Sequence, residues 1–509
     1  MKYFFGCLLL LISAFTLAQK PVVQTQSGKV EGYLENNIEV YKGIPFAAPP
    51  VGALRWKAPQ PVAAWKGIKK CIAFSASPVQ PKPVPFMVWS KEYLIPEEPI
   101  NEDCLYLNVW TSGSAKAARK PVLVYIYGGG FRSGGAGCPI YDGLATAQKD
   151  IVFVSINYRV GVFGFLAHPD LTKESAYHSS GNYGLLDMVA ALTWVKQNIA
   201  SFGGDPDKVT IAGQSAGAFA VNFLCASPLA KGLFSGAIAE SGGSILQSSL
   251  RPSLHLADAE KTGVQFAQDL QCADINALRK KSAEEILQAR GGISFPIEDG
   301  YFLTSSIMDT YQQGKQNDVP LLLGWNKEDI VAGPPVSAAE YSKQLKAQFG
   351  DDGLAKILAA YPANNDEVAA ASQKALSRDE TFAIQAYVWA NTQLKTGKSA
   401  VYIYNFNRAL PGYTKATEYG AFHTSEVAFA YDNLKQVDRP FTAVDHTLAH
   451  DISGYWANFI KTGNPNGKLL TTWDKYTIAE NNVIILDQVI QSKPLPSKNQ
   501  LEVLLQVMK

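Results

Sequence analysis

The stretch Lys208-Val209-Thr210-Ile211-Ala212-Gly213-Gln214-Ser215-Ala216-Gly217-Ala218 constrains the fold of this chain more than any other. It reads as a short β-branched strand, a Gly-x-Ser-x-Gly turn and a small-residue helix. A serine on such a strained strand-to-helix turn projects its hydroxyl clear of a sheet. The flanking glycines are needed because a Cβ there would strike neighbouring backbone. Ser215 is therefore a candidate nucleophile. The bare string arises by chance in roughly one chain in six of this length, with Gly and Ser at about 7% each, so the strand-turn-helix setting carries the reading. The alternative is a tight turn with an idle serine.

An elbow of this kind needs a sheet covered on both faces, and the chain supplies its strands. Pro121 to Tyr127 and Ile151 to Tyr158 are near-continuous apolar runs, the mark of strands buried on both sides. The helical spacing of Gly184 to Val195 falls between them and the elbow strand. Further strands follow at Gly236 to Gly242, Val319 to Gly324, Ala400 to Phe406 and Asn482 to Leu486. This is the βαβ grammar of an α/β fold, with a mostly parallel central sheet flanked by helices. Alternation from Gln24 to Lys42 suggests small N-terminal antiparallel strands. Helical regions are expected from Leu256 to Arg290 and, as an insertion above the sheet, from Ser337 to Lys395. No linker or repeat divides residues 19–509, which are read as one domain. The proline-rich stretch between Cys71 and Cys104 carries Phe86, Trp89 and Tyr93. It is either a wall of the active site or a plain surface Ω-loop.

A nucleophilic serine needs a base, an acid to orient the base, and donors for an oxyanion. In the Ser, acid, His order of such sheets, each partner sits in a loop after a strand. The loop Gly324-Trp325-Asn326-Lys327-Glu328-Asp329 offers two adjacent carboxylates, and Gly420-Ala421-Phe422-His423 offers a histidine. Of the six histidines, His168, His178 and His255 come too early, and His446 and His450 fall in a helical pattern. His423 is thus the candidate base, against the alternative of a structural histidine. Three glycines, Gly128-Gly129-Gly130, end the Pro121 to Tyr127 strand and free backbone N–H groups to point into a cleft.

Several separated motifs recur in one order: Tyr41-Lys42-Gly43-Ile44-Pro45-Phe46-Ala47, Glu102-Asp103-Cys104-Leu105-Tyr106-Leu107-Asn108, Tyr127-Gly128-Gly129-Gly130-Phe131, Phe202-Gly203-Gly204-Asp205-Pro206, the elbow, Gly420-Ala421-Phe422-His423 with Glu426, and Trp456-Ala457-Asn458-Phe459. In these the chain resembles the type-B carboxylesterases, a family of α/β-hydrolases. The resemblance implies a serine carboxylic-ester hydrolase with no metal or other cofactor. It places Ser215 as nucleophile, His423 as base, and the N–H groups of Gly129, Gly130 and Ala216 as the oxyanion hole. Asp329 falls on the acid position, where the family usually has Glu in Asp-Glu-Gly; Glu328 is the alternative. Many members carry Glu before the serine, and Gln214 here removes that charge, which points to neutral or aryl esters over cationic ones. The resemblance also implies a Cys71–Cys104 disulfide, although the expected Phe-Gly-Pro-x-Cys string is replaced by Phe74-Ser75-Ala76-Ser77-Pro78. A thioester, amide or carbohydrate ester would suit the same triad, and some relatives that lack the nucleophile are binding modules.

Composition bounds the remainder. A formal charge of +1 and the lack of a basic stripe exclude nucleic acid as a partner. A small-molecule ester is the expected partner. Residues 1–18 read as a signal peptide: a short positive start, an apolar run too short to span a bilayer, and Thr16-Leu17-Ala18. An exported, periplasmic or secreted protein beginning near Gln19 is expected, without stable membrane insertion. Beyond Cys7, five cysteines leave at least one thiol free, and none has zinc spacing. Phe86, Trp89, Phe131, Phe219 and Phe295 are candidate pocket residues, none assigned.

Overall fold

A strand apolar on both faces is stable only inside a sheet covered on both sides, and the buried runs of this chain come together in one such sheet. The computed structural model describes residues 20–247, 254–329 and 334–508; the leader read in residues 1–18 lies outside them. The N-terminal part gives β1 Val22–Gln24, β2 Lys29–Glu31, β3 Tyr33–Glu35, β4 Ile38–Pro45 and β5 Ile68–Lys70. Then come β6 Tyr106–Thr111, β7 Lys120–Ile126, β8 Val152–Ile156, β9 Gly204–Gln214 and β10 Gly236–Glu240. The last four are β11 Leu321–Asn326, β12 Val401–Phe406, β13 Asn482–Leu486 and β14 Gln491–Pro494.

The main sheet has eleven strands in the order β14-β13-β12-β11-β10-β9-β7-β8-β6-β4-β3. From β8 to β13 all neighbours are parallel. The edges β14, β6, β4 and β3 are antiparallel. After β7 the chain steps to β8 on one side and returns to β9 on the other. That reversal opens a crevice beyond the carboxyl ends of β7 and β9, where open α/β sheets bind their ligands. The glycine run and Ser215 are the residues that come directly after those two strand ends.

Helices Tyr183–Asn198 and Ala216–Ala226 flank the crevice strands, and every residue of the second is buried. Helix Ala443–Thr462 shows how locally its limits are written. Thr442 and Asp445 form a capping box at its start, and Gly463 closes it in the left-handed region at φ 72°.

The structure refines several expectations. The region from Leu256 to Arg290 is three short helices, Leu256–Asp269, Ile275–Arg279 and Ala283–Gln288, because Asp274 and Ser282 each cap a new start. The insertion is helical as expected but broken: Gly350 kinks Ala338–Ala360, and a π-helical turn, Asp379–Ala383, separates Asp366–Arg378 from Ile384–Thr396. β5 runs parallel to β2 in a separate three-stranded sheet, so the N-terminal ribbon is not purely antiparallel. The strand β14 and the terminal helix Lys498–Val507 were not read from sequence. Among the described residues no helix is long and apolar enough to cross a membrane.

The disulfide is corrected. Cys71 and Cys104 are buried free thiols. Polar clamps hold the loop between them instead. The Gln80 amide donates to the carbonyl of Gly134 (2.7 Å) and accepts from its N–H (2.8 Å), and Asn157 Nδ2 donates to the Ala76 carbonyl at 3.1 Å. Burial pushes the Cys71 thiol up to about 11 and the Cys104 thiol well above its ordinary range, so both stay protonated and unreactive.

One ion pair beside the crevice is wholly buried. The Arg159 guanidinium meets Asp187 through two bonds of 2.8 and 2.7 Å, with side chains 4% and 0% exposed. Asp187 also accepts the Arg159 N–H at 3.0 Å, which fixes the chain after β8 to helix Tyr183–Asn198. Asp187→Ala leaves a buried cation unpaired and is expected to cost about 3–5 kcal/mol, read as a lower urea midpoint. Asp258→Ala, which breaks an ion pair with side chains 77% and 56% exposed, should leave the midpoint unchanged.

Candidate active site

Ser215 occupies the turn between β9 and its helix at φ 55°, ψ −124°, a conformation that non-glycine residues adopt only under constraint. The constraint is visible on both sides. The Ser215 N–H donates to the Glu240 carbonyl at 2.8 Å, and the Ser215 carbonyl accepts from Phe219 N–H at 2.9 Å. A Cβ on Gly217 would sit 2.0 Å from the Ile126 carbonyl oxygen, and one on Gly213 would sit 2.5 Å from the carbonyl carbon of Gly217. Both flanking glycines are therefore obligatory, as the sequence pattern requires. Gly128, expected only to free a backbone N–H, has a steric role as well. A Cβ there would lie 2.7 Å from the Gln214 carbonyl oxygen and 3.0 Å from Ser215 Cβ, so the first glycine of the run makes room for the elbow. Gly129 and Gly130, at φ 113° and 63°, line the same cavity as Ser215. Ala216, 2% exposed, begins the elbow helix.

The loops after β11 and β12 bring the acid and the histidine together. His423 Nδ1 lies 2.5 Å from Asp329 Oδ1, with the carboxylate wholly buried. The other carboxylate oxygen accepts the Asn326 N–H at 3.0 Å. Glu328 points elsewhere: its carboxylate accepts the Ala421 N–H at 2.7 Å, while its own N–H donates to the Ala421 carbonyl at 3.1 Å. Of the two adjacent carboxylates, one meets the imidazole and the other staples the histidine loop to the acid loop. Ile330 lies outside the described residues. Asn326 gave no warning in the sequence beyond its place at the end of β11. Its side-chain amide donates to the Phe422 carbonyl at 2.8 Å and to the Glu426 carboxylate.

Three neutral groups, Gln214, Phe382 and Trp89, define the surroundings of the imidazole. Gln214 Nε2 is 3.4 Å from His423 Nδ1 and 3.3 Å from Nε2. An in-plane atom that close to both nitrogens would collide with the carbon between them, so the amide lies over a ring face. The Phe382 ring stacks on the imidazole at 4.8 Å and 20°, and Trp89 meets it edge-on at 6.5 Å.

Ser215 and His423 open on a cavity of about 560 Å³. Much of its wall comes from the proline-rich loop, including Pro81, Pro83, Val84, Phe86, Trp89 and Tyr93. That resolves the choice between wall and surface Ω-loop: the loop is a wall. Phe86 and Trp89 exchange backbone hydrogen bonds of 3.1 and 2.9 Å around a tight tip, at which Val84, Phe86 and Met87 are 69%, 54% and 77% exposed. The other aromatic candidates differ. Phe131 is buried among Tyr158, Phe165 and Phe223, Phe219 is buried on the elbow helix, and Phe295 lies under the Arg132 guanidinium. Among the described residues, no aspartate or glutamate lines the cavity, and besides His423 the one basic side chain there is Lys82, paired with Glu98 at 3.0 Å.

The profile described as "Carboxylesterase family" matches residues 19–503. Fumonisin B1 esterase of Sphingopyxis macrogoltabida is 36% identical, over 93% of this chain and 88% of that protein. Para-nitrobenzyl esterase of Bacillus subtilis (strain 168) is 33% identical, over 94% and 98%. A solved structure of a PNB esterase superposes with a TM-score of 0.82 at 31% identity, covering 96% of this chain and 99% of that one.

Two buried carboxyls lie behind the site. Glu240 accepts Trp456 Nε1–H at 2.8 Å and the Tyr431 hydroxyl at 3.1 Å, and burial raises its pKa to about 8 against the pull of those two bonds. Burial, then the charges of Glu240 and Asp329, raise Glu426 to about 8 as well. Between the ordinary glutamate value and pH 8 the folded chain holds protons that the unfolded chain has released. These groups therefore stabilise the fold fully in acid and lose that contribution as pH rises through about 8. Urea midpoints at pH 5 and pH 8 should show a smaller drop for Glu240→Gln than for wild type; an equal drop would count against the raised value.

Proposed function

The chain belongs to the carboxylesterase family, and from that premise we propose that Ser215, His423 and Asp329 are the nucleophile, general base and orienting acid of this serine carboxylic-ester hydrolase. The observation that carries the assignment is the 2.5 Å contact from His423 Nδ1 to the buried Asp329 carboxylate, with His423 lining the same cavity as Ser215. Asp329 binds the Nδ1–H tautomer and leaves Nε2 as the basic nitrogen. Ser215 Oγ attacks the ester carbonyl carbon while Nε2 takes its proton. The carbonyl oxygen gains negative charge, which the N–H groups of Gly129, Gly130 and Ala216 stabilise. Collapse breaks the bond to the alcohol, which leaves with the proton from His423. Water then attacks the acyl-serine, with His423 again taking and returning a proton, and the carboxylic acid departs.

Neutral and aryl esters fit this cavity better than cationic ones, since Gln214 and the carboxylate-free lining give a positive alcohol no negative charge to pair with. One relative is named for para-nitrobenzyl esters, which makes that ester a natural first substrate. The proposal covers residues 19–509 acting as one domain, exported after loss of residues 1–18; N-terminal sequencing of the secreted product tests the last point.

With para-nitrophenyl acetate and butyrate, Ser215→Ala should abolish turnover and the burst. Asp329→Asn should lower kcat by about 10⁴-fold, while Glu328→Gln lowers it by less than about tenfold. The reverse order would move the acid to Glu328. A choline ester should show a lower kcat/KM than its uncharged isostere; a higher value would overturn the substrate preference.

A further inference from the structure

The π-helical turn Asp379–Ala383 sits where the helical insertion passes the imidazole. An extra residue in one turn rotates the side chains around it relative to a regular helix, and such turns recur at functional positions. Here it turns Phe382, 2% exposed, onto the face of His423. The turn is anchored at each end. Asp379, wholly buried, accepts the Tyr361 hydroxyl at 3.0 Å and the Arg378 Nε–H at 2.7 Å. Arg378 Nη1 in turn donates to the Lys327 carbonyl at 3.3 Å, in the acid loop. Beyond the turn, the Gln385 side chain accepts the N–H groups of Ile245 and Leu246 at 3.0 and 2.9 Å. One element therefore reaches the acid loop through Arg378 and the histidine through Phe382.

The bond to Asp329 fixes Nδ1 but lets the imidazole tilt about that point, and a tilt swings Nε2 away from the serine. A flat ring stacked at 20° restrains the tilt. It also presents a π face to the imidazolium that forms as His423 takes the serine proton, an attraction absent before proton transfer.

We propose that Phe382 is a positioning residue for catalysis: its ring, aimed by the π turn anchored at Asp379, sets the plane of His423 so that Nε2 addresses Ser215. The inference rests on the triad assignment above. It is tested with Phe382→Leu, which keeps apolar bulk without a flat face, and Phe382→Tyr, which keeps the face. Active sites are counted by stoichiometric labelling with an organophosphate ester, so unfolded protein is removed from the comparison. Per labelled site, Phe382→Leu should lose about tenfold or more in kcat, in the burst and the steady state alike, with KM within about twofold; Phe382→Tyr should regain most of the loss. Wild-type turnover per site in Phe382→Leu, or an equal fall in Phe382→Tyr, would overturn the role. Activity surviving in Ser215→Ala would instead overturn the triad assignment, so the two failures are distinguishable.

Discussion

The site depends on how closely two strand ends can approach. Between β7 and β9 the elbow helix starts so near the Ile126 carbonyl that position 217 has no room for a Cβ, and the same contact leaves none at position 213. This packing is what keeps Ser215 in a backbone conformation it would otherwise leave. The strain is local, and its restraint is distributed. β10 supplies the acceptor for the Ser215 N–H, and Gly128 at the end of β7 provides clearance from the other side. The sheet reverses its winding at this same place, so the crevice and the strained serine share one topological origin.

Around this fixed point the charged groups are separated by what each can reach. Asp329 and Glu328 are neighbours in sequence yet serve different contacts, because Asn326 N–H turns one inward while Ala421 N–H draws the other onto the histidine loop. Asn326 joins the two loops again through Phe422 and Glu426. With Glu240 and Glu426 pushed toward their neutral forms, Asp329 faces fewer competing negative charges than a count of carboxyls suggests.

What could be read from the chain alone divides along the range of the interaction. The elbow and the buried strands were legible because glycine spacing and apolar runs act within a few positions. From the residues alone the acid was narrowed to Glu328 and Asp329, since their contacts lie on a loop nearly a hundred residues away, and only the resemblance favoured Asp329. Phe382 gave no signal: it sits in a helical pattern, and only the π turn aims it at His423. The cysteine pairing implied by resemblance is not formed: Cys71 and Cys104 are buried free thiols, and side-chain amides hold the intervening loop.

The proline-rich wall is held to Gly134 through Gln80 and meets the histidine through Trp89, yet its tip, from Val84 to Met87, is bound to little besides itself. Its outer residues can therefore vary without disturbing the strand ends that hold Ser215. Substitutions at the tip change the exposed wall of the cavity, whereas substitutions at Gly213, Gly217 or Asp329 strike the packing and hydrogen bonding of the site itself. Access and reaction are thus carried by separate parts of the chain: one loop forms the outer wall of the cavity, and the strand ends beneath it hold Ser215.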